Sequence, residues 1–206
     1  WAGGSTSTNI AALLAIEDRN TRDAASIILA PSPGHPVNVT PFAPGAPAPP
    51  NIGTNGKDIM IGGPGGALLN GRGGNDLIRA GRGGDTLIGG PGNDTLFGGP
   101  GHDCFVFNAA LSDRTNVEQI HNFNPEFDLI ALSHRIFARV NAAGPLSPSM
   151  FIEGAHADTP QDRVIYNPHN GWLIYDSNGN APGGATHFAT LAPHLLLSSG
   201  DFLAIG

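Results

Sequence analysis

Apolar residues recur with a period of nine through the middle of the chain. Set in register, residues 53–106 read GTNGKDIMI, GGPGGALLN, GRGGNDLIR, AGRGGDTLI, GGPGNDTLF and GGPGHDCFV. The eighth position is always apolar (Met60, Leu69, Ile78, Leu87, Leu96, Phe105), and the sixth is Asp in every repeat but the second, where Ala67 stands. A fixed period of this kind marks a stack of supersecondary units. Each unit predicts a turn followed by a short strand. Strand alternation sends the eighth side chain inward and leaves the seventh and ninth mostly outward, where Thr86, Thr95, Asn70 and Arg79 meet water at little cost. Two repeats close one coil, successive coils stack about 4.8 Å apart, and odd and even repeats fall on opposite sides.

Eighteen of the thirty glycines lie in these repeats. At the first, second and fourth positions a residue without Cβ admits left-handed backbone and lets carbonyl oxygens converge on a point. Stacking then aligns Asp58, Asp76 and Asp94 in one column and Asp85 and Asp103 in the other. Two unit charges about 5 Å apart repel by about 0.8 kcal/mol in water and about 3 kcal/mol at an effective dielectric of 20. Without a counter-ion the columns oppose folding. Carboxylate and carbonyl donors, with no thiolate or imidazole at fixed spacing, select Ca²⁺ over transition metals, and a need for six or more ligands disfavours Mg²⁺. Collagen requires glycine at every third residue, and a flexible linker needs no phased Asp and Leu.

The flanks carry weaker patterns. Residues 9–30 read as a helix-capable segment that Asn9 can cap, with Ile10, Leu13, Leu14 and Ile16 on nearby helical faces. Residues 31–50 are rich in proline, which denies helix and ladder alike, so this stretch reads as an extended linker or, alternatively, as an ordered arm along the repeats. Past the repeats, Arg163 to Tyr166 and Trp172 to Asp176 alternate and flank an Asn-Gly turn, which predicts a hairpin; Phe188 to Leu191 offers a third strand.

Composition narrows the function. Of the 206 residues 40% are hydrophobic and only 13% charged, and the net charge is −7. The ten Lys and Arg form no run or stripe, which argues against nucleic acid and anionic membrane as partners and makes cations the expected guests. A single cysteine, Cys104, excludes an internal disulfide framework and a Cys-rich zinc site. No apolar stretch approaches the roughly 18 residues of a membrane helix, and the N-terminus has no basic region followed by an apolar one. The start at Trp1 reads as a processed form or the end of a longer chain.

With these residues in hand, the sequence resembles the RTX (repeats-in-toxin), hemolysin-type calcium-binding family of Gram-negative bacteria, whose signature is GGxGxDxUx. The resemblance continues into a serralysin-type flank, DxIxDFxxxxDxIDLS, here EQIHNFNPEFDLIALS from Glu118 to Ser133. Asp128 matches, whereas Glu118, Asn122 and Ala131 stand where the family has Asp. The closing SSGDFLAIG resembles an uncleaved type I secretion signal, and the likeness spans residues 51–206.

The resemblance implies an all-β fold: a parallel β-roll over residues 51–107 with a C-terminal β-rich cap and hairpin over 108–206; the helix-capable head (1–30) and the Pro-rich linker (31–50) that precede it lie outside the resemblance. It also implies one Ca²⁺ between the turns of repeats n and n+2, held by both sixth-position carboxylates and by carbonyls of each turn. Carried over, Thr54, Gly56 and Asp58 face Gly71, Gly73 and Asp76. Arg72, Gly74 and Asp76 face Gly89, Pro91 and Asp94. On the other side Gly81, Gly83 and Asp85 face Gly98, Pro100 and Asp103. The pairing of Gly63, Gly65 and Ala67 with Ala80, Arg82 and Asp85 lacks a carboxylate and is expected to be weak or empty, whereas Glu118 could complete the last turn.

Other chemistry finds less support. The eight histidines have no metal-ligand spacing, and neither HExxH nor GxSxG occurs, so the chain reads as non-enzymatic. Asp176 to Asn180 mimics the start of an EF-hand loop but lacks the sixth-place Gly and twelfth-place Glu, and so reads as a polar turn. Cys104 reads as outward-facing, His102 as a solvated turn residue, and Trp172 and Tyr175 as sheet-packing residues. Three functions are compatible with the whole. The first is a secreted, extracellular or cell-surface protein, exported through a type I channel, that folds on Ca²⁺ and acts as a structural or adhesive element, with a protein partner or self-association possible. The second is the calcium-binding export module of a secreted protease or lipase. The third is an accessory subunit docked through the head.

Overall fold

The structure, a computed structural model, describes residues 25–29, 38–41 and 51–206. The first strands, β1 (Ala25–Leu29) and β2 (Asn38–Pro41), form an antiparallel pair. After β3 (Asn51–Ile52), each repeat contributes one short strand: β4 (Ile59–Ile61), β5 (Leu68–Asn70), β6 (Leu77–Arg79), β7 (Thr86–Ile88), β8 (Thr95–Phe97) and β9 (Cys104–Phe107). Beyond the repeats lie β10 (Glu118–His121), β11 (Leu129–Ser133), β12 (Gly144–Pro145), β13 (Phe151–Glu153), β14 (Val164–Asn167), β15 (Trp172–Asp176), β16 (Ala185–Thr190) and β17 (Phe202–Ile205).

The chain alternates between two sheets. One runs β13-β14-β15-β16-β10-β8-β6-β4-β1-β2, the other β12-β17-β11-β9-β7-β5-β3. Strands β4, β6, β8 and β10 are parallel, as are β3, β5, β7, β9, β11 and β17. Parallel pairing follows from the period: each coil advances the chain one layer in the same direction, so Met60 registers with Ile78 and Ile78 with Leu96.

The eighth-position side chains build the core between the sheets. Met60, Ile78, Leu96 and Ile120 form one ladder, and Leu69, Leu87, Phe105, Ile130 and Phe202 the other. All nine are buried, and burying each such side chain contributes roughly 1.5–3 kcal/mol. Seventh- and ninth-position residues are mostly half-buried, and Cys104 is among them rather than fully exposed. The all-β roll expected from the sequence is therefore the fold. No helix among the described residues is long and apolar enough to cross a membrane.

The segment ahead of the repeats requires a correction. Residues 25–29, the end of the stretch read as helix-capable, are strand β1, paired antiparallel with β4 at Ile27↔Ile61, Ile28↔Met60 and Leu29↔Ile59. The reason lies in adjacent β-branched Ile27 and Ile28, which favour strand, and in the open edge of β4, which offers a ladder of hydrogen bonds. Residues 38–41, inside the stretch read as an extended linker or an ordered arm, are strand β2 against β1. The remainder of the head and of the linker lies outside the described residues.

The C-terminal flank closes the roll. The expected hairpin is present as antiparallel β14 and β15, and the third strand, β16, spans residues 185–190 rather than 188–191. Asp176 Oδ1 accepts the Asn178 N–H (3.1 Å) in the β15–β16 connection, a polar turn as expected. Trp172 is 43% exposed and stacks on His187, whereas Tyr175 is buried and its hydroxyl accepts the Arg139 N–H. The last strand, β17, lies parallel to β11, with Phe202 and Ala204 in the core.

Candidate calcium sites in the turns

The left-handed backbone expected of the turns is found at the second and fourth positions of the last four repeats. Arg72, Gly74, Gly81, Gly83, Gly90, Gly92, Gly99 and Gly101 all have φ between 70° and 158°. Arg72 adopts this conformation despite its Cβ.

The first-position glycines answer to space instead. A Cβ on Gly71 or Gly89 would collide with Oδ2 of Asp76 or Asp94, and one on Gly98 would approach Asp103 Oδ2. Each of these carboxylates therefore fills the gap that its own repeat's first residue leaves.

The sixth-position carboxylates form two hydrogen-bonded columns. Asp76 Oδ1 accepts the N–H of Asp58 (2.7 Å), and Asp94 Oδ1 that of Asp76 (2.7 Å). On the other side Asp85 Oδ1 accepts the N–H of Ala67 (2.6 Å), Asp103 Oδ1 that of Asp85 (2.9 Å), and Asp128 Oδ1 that of Asp103 (3.0 Å). All five repeat aspartates are buried. Each keeps one oxygen without a hydrogen-bond partner: Asp58 Oδ1 and the Oδ2 atoms of Asp76, Asp85, Asp94 and Asp103. A buried, unsatisfied carboxylate oxygen is costly and calls for a cation or a proton.

The turns expected to share an ion are in contact. Gly73 donates to the Thr54 carbonyl (3.3 Å), Gly74 to that of Pro91 (3.0 Å) and Gly83 to that of Pro100 (3.1 Å). A Cβ on Gly74 would meet Gly56, and one on Gly99 would meet the Gly81 carbonyl. A carbonyl oxygen that accepts one N–H retains a second lone pair for a metal. Thr54 additionally closes the first turn, donating N–H (2.6 Å) and hydroxyl (3.0 Å) to Asp58 Oδ2. The incomplete pairing is also assembled, with Arg82 donating to the Gly63 carbonyl (3.2 Å) and Ala67 standing beneath Asp85.

Electrostatics agrees with a cation. Burial pushes Asp76 and Asp85 up to about 7, aided by the neighbouring carboxylates and opposed by the backbone N–H each accepts. Burial likewise raises Asp94 to about 6, and raises Asp103 and Asp128. Such shifts express the cost of ionised carboxylates held in a column. A divalent ion held between neighbouring turns would supply the missing charge, and the free carboxylate oxygens with the turn carbonyls make a donor set that fits Ca²⁺, a hard cation that takes six to eight oxygens.

Flank residues extend both columns, and sequence spacing alone did not reveal how. Asp128 occupies the next even layer, with its second oxygen accepting the Asn124 N–H (2.8 Å). Glu118 occupies the next odd layer, since Gln119 donates to the Asp94 carbonyl (2.7 Å) as Thr95 does to that of Asp76 (2.8 Å). Asn116 was not foreseen: its Oδ1 accepts the Gly92 N–H (2.8 Å). The ten residues between β9 and β10 break the nine-residue period that revealed the other members.

A roll of parallel coils with columns of buried aspartates in left-handed turns defines a calcium-binding β-roll. The family of RTX calcium-binding nonapeptide repeats, in four copies, matches residues 52–87 and 70–103. Residues 52–103 are thus RTX repeats, and Ca²⁺ is their ligand. Among solved structures, the solution structure of the AlgE6R2 subunit from the Azotobacter vinelandii mannuronan C5-epimerase is similar, with TM-score 0.51 and 23% identity over 78% of this chain and 95% of that one. The AlgE6R3 subunit of the same epimerase matches with TM-score 0.32 and 24% identity over 77% of this chain and 81% of that one. No curated protein matches the chain.

Proposed function

We propose that the chain is a secreted, non-catalytic module that folds around Ca²⁺ outside the cell and serves as a structural, adhesive or accessory element. The observation that carries this reading is the pair of carboxylate columns, each repeat aspartate buried with an unpartnered oxygen. Residues 51–107 act as the calcium unit and 108–206 as its cap. One Ca²⁺ is held by Asp58 and Asp76 with carbonyls of Thr54, Gly56, Gly71 and Gly73. A second is held by Asp76 and Asp94 with those of Arg72, Gly74, Gly89 and Pro91, and a third by Asp85 and Asp103 with those of Gly81, Gly83, Gly98 and Pro100. Bound Ca²⁺ neutralises the columns, and these residues supply its oxygens and fix the spacing of the turns. Such a requirement suits export as an unfolded chain through a type I channel, with folding where Ca²⁺ is plentiful.

The test is a calcium titration of the full chain followed by circular dichroism. A β signal that grows with Ca²⁺ and disappears with chelator is expected, and a signal indifferent to chelator would falsify the mechanism. Export is tested by fusing residues 198–206 to an unfolded passenger in a cell with a type I exporter; retention of the passenger inside the cell counts against the signal.

A second reading, a module of a larger enzyme, draws on the solved neighbour, which is one subunit of an epimerase. The intact mass of the native protein separates the two.

A further inference from the structure

The two sheets present unlike outer faces. On the ten-stranded sheet the ring of Phe97 is covered by its neighbours in the ladder: the Arg79 guanidinium lies 4.3 Å over it, and His121 stacks against it with ring centroids 4.5 Å apart. The outer face of the seven-stranded sheet is apolar instead. Register aligns Leu68, Thr86, Cys104 and Leu129 in one outward row and Ile52, Asn70 and Ile88 in the other. Neither row holds a charged residue, although the chain carries a net charge of −7. Ile52 is 44% exposed, Leu68 38% and Leu129 37%. With half-buried Ile88 and Cys104 between them, they make a continuous face rather than apolar residues scattered singly.

The size of this face selects its occupant. Five strands about 4.8 Å apart and about 10 Å long give about 240 Å², whereas a stable interface between proteins takes about 800 Å² from each partner. A second copy would be held weakly there. A short apolar segment of the same chain fits better, because its tether keeps it at high effective concentration.

Such a segment lies ahead of β1. Residues 10–16, IAALLAI, are apolar and uncharged throughout, and residues 17–24, EDRNTRDA, join them to Ala25. Strand β1 runs antiparallel to β4 with Ile27 opposite Ile61. Ala25 therefore sits beyond the end of β4, beside the turn that leads into Leu68 at the start of β5. The tether starts on the side of the roll where the row of Leu68 begins. Eight residues span at most about 26–29 Å, enough to cross the roughly 10 Å between sheets and two or three strand spacings of about 4.8 Å.

We infer that residues 10–16 cover the outer face of the seven-stranded sheet, seated on the row of Leu68, Cys104 and Leu129. The head then serves the roll itself, shielding the face that the repeats leave apolar.

Cys104, the single cysteine of the chain, stands within the row and reports on the cover. The rate at which a maleimide labels it is measured on the full chain in Ca²⁺, for the parent and for Leu13→Glu/Leu14→Glu, whose two charges are costly to bury on an apolar face. With two leucines lost from the contact, the variant is expected to react at least about tenfold faster. Equal rates overturn the inference, since the head then gives no cover. A parent rate that falls as protein concentration rises identifies a second copy as the occupant and overturns it as well. Should the double variant fail to fold, Leu68→Asp decides at a fixed, dilute concentration, because this exposed position lies on the roll itself. Faster labelling than in the parent supports the cover, and the parent's rate overturns it.

Discussion

The backbone N–H of Asp58 donates to the carboxylate of Asp76 one coil away, at 2.7 Å, and leaves Asp76 Oδ2 buried and unpartnered. The same side chain thus holds two coils in register and presents an oxygen to the space between turns. Its neighbours face it on both sides, Asp58 below and Asp94 above. Replacement of Asp76 by Ala is expected to raise the calcium midpoint of folding more than replacement of Asp58, which has a partner on one side only. The lost backbone acceptor adds about 1–3 kcal/mol to the loss of ligation. Calcium titrations of both variants followed by circular dichroism decide the order, and equal midpoints contradict the two-sided register.

Ala67 is the gap in the even column. Its N–H already donates to Asp85, and its repeat begins with Gly62, where an added Cβ would run into the Ala80 backbone rather than into a carboxylate of its own repeat. Ala67→Asp is expected to add one ion and to steepen the calcium dependence, while repulsion of about 1–3 kcal/mol weakens the calcium-free form. The first residue of the fourth repeat is Ala80 rather than glycine, so the gain is expected to fall short of a full site. An unchanged ion count and midpoint would refute the pairing.

Gly71→Ala separates space from conformation. Gly71 is not among the residues with positive φ, yet an added methyl would collide with Asp76 Oδ2 and approach the Gly89 carbonyl at 2.8 Å. Calcium affinity is expected to fall even though alanine suits the backbone. Affinity equal to the parent's, measured by calorimetry, removes the role assigned to first-position glycines.

Acidity acts in opposite senses on the calcium-free and calcium-loaded chains. An unfolded Asp titrates near 4, whereas in the calcium-free roll Asp76 and Asp85 titrate at about 7 and Asp94 at about 6. The folded form binds more protons between these limits, so its stability is greatest below about pH 4 and is lost as pH rises through about 7. In chelator, the β signal should therefore grow on acidification toward pH 4. Calcium requires the ionised carboxylates, so its affinity should fall as pH drops below about 7, with proton release on binding. Circular dichroism across pH and calorimetry in two buffers test both halves; loss of structure on acidification in chelator contradicts the first.

Much of this was legible in the sequence because a strict period converts residue identity directly into position. Met60, Ile78 and Leu96 announce an inward ladder, and Asp58, Asp76 and Asp94 a column, without any knowledge of long-range contacts. The hairpin of β14 and β15 was legible for a similar reason, its turn being local. Where partners are distant and the period is broken, the signal fails. Nothing local shows that Asn116 Oδ1 reaches Gly92, or that Glu118 lies over Asp94. Ile27 and Ile28 favour strand only weakly by themselves and also continue an apolar helical period, so the edge of β4 decides between the two. The closing residues were legible only by their likeness to an export signal; that Phe202 pairs with Ile130, where the seven-stranded sheet has an edge to extend, is a long-range contact that they do not announce.

Because the chain crosses between sheets at every repeat, neither sheet can lengthen without the other, and each coil touches only the coils next to it. Such an object behaves as a one-dimensional chain of coupled units, in which order in one layer is the template for the next. Its sharpness of response is then a property of length. If Ca²⁺ drives folding as proposed, an ion bound in any layer is expected to lower the threshold for its neighbours, so that a roll of a few coils would convert a gradual change in calcium into an abrupt change of state.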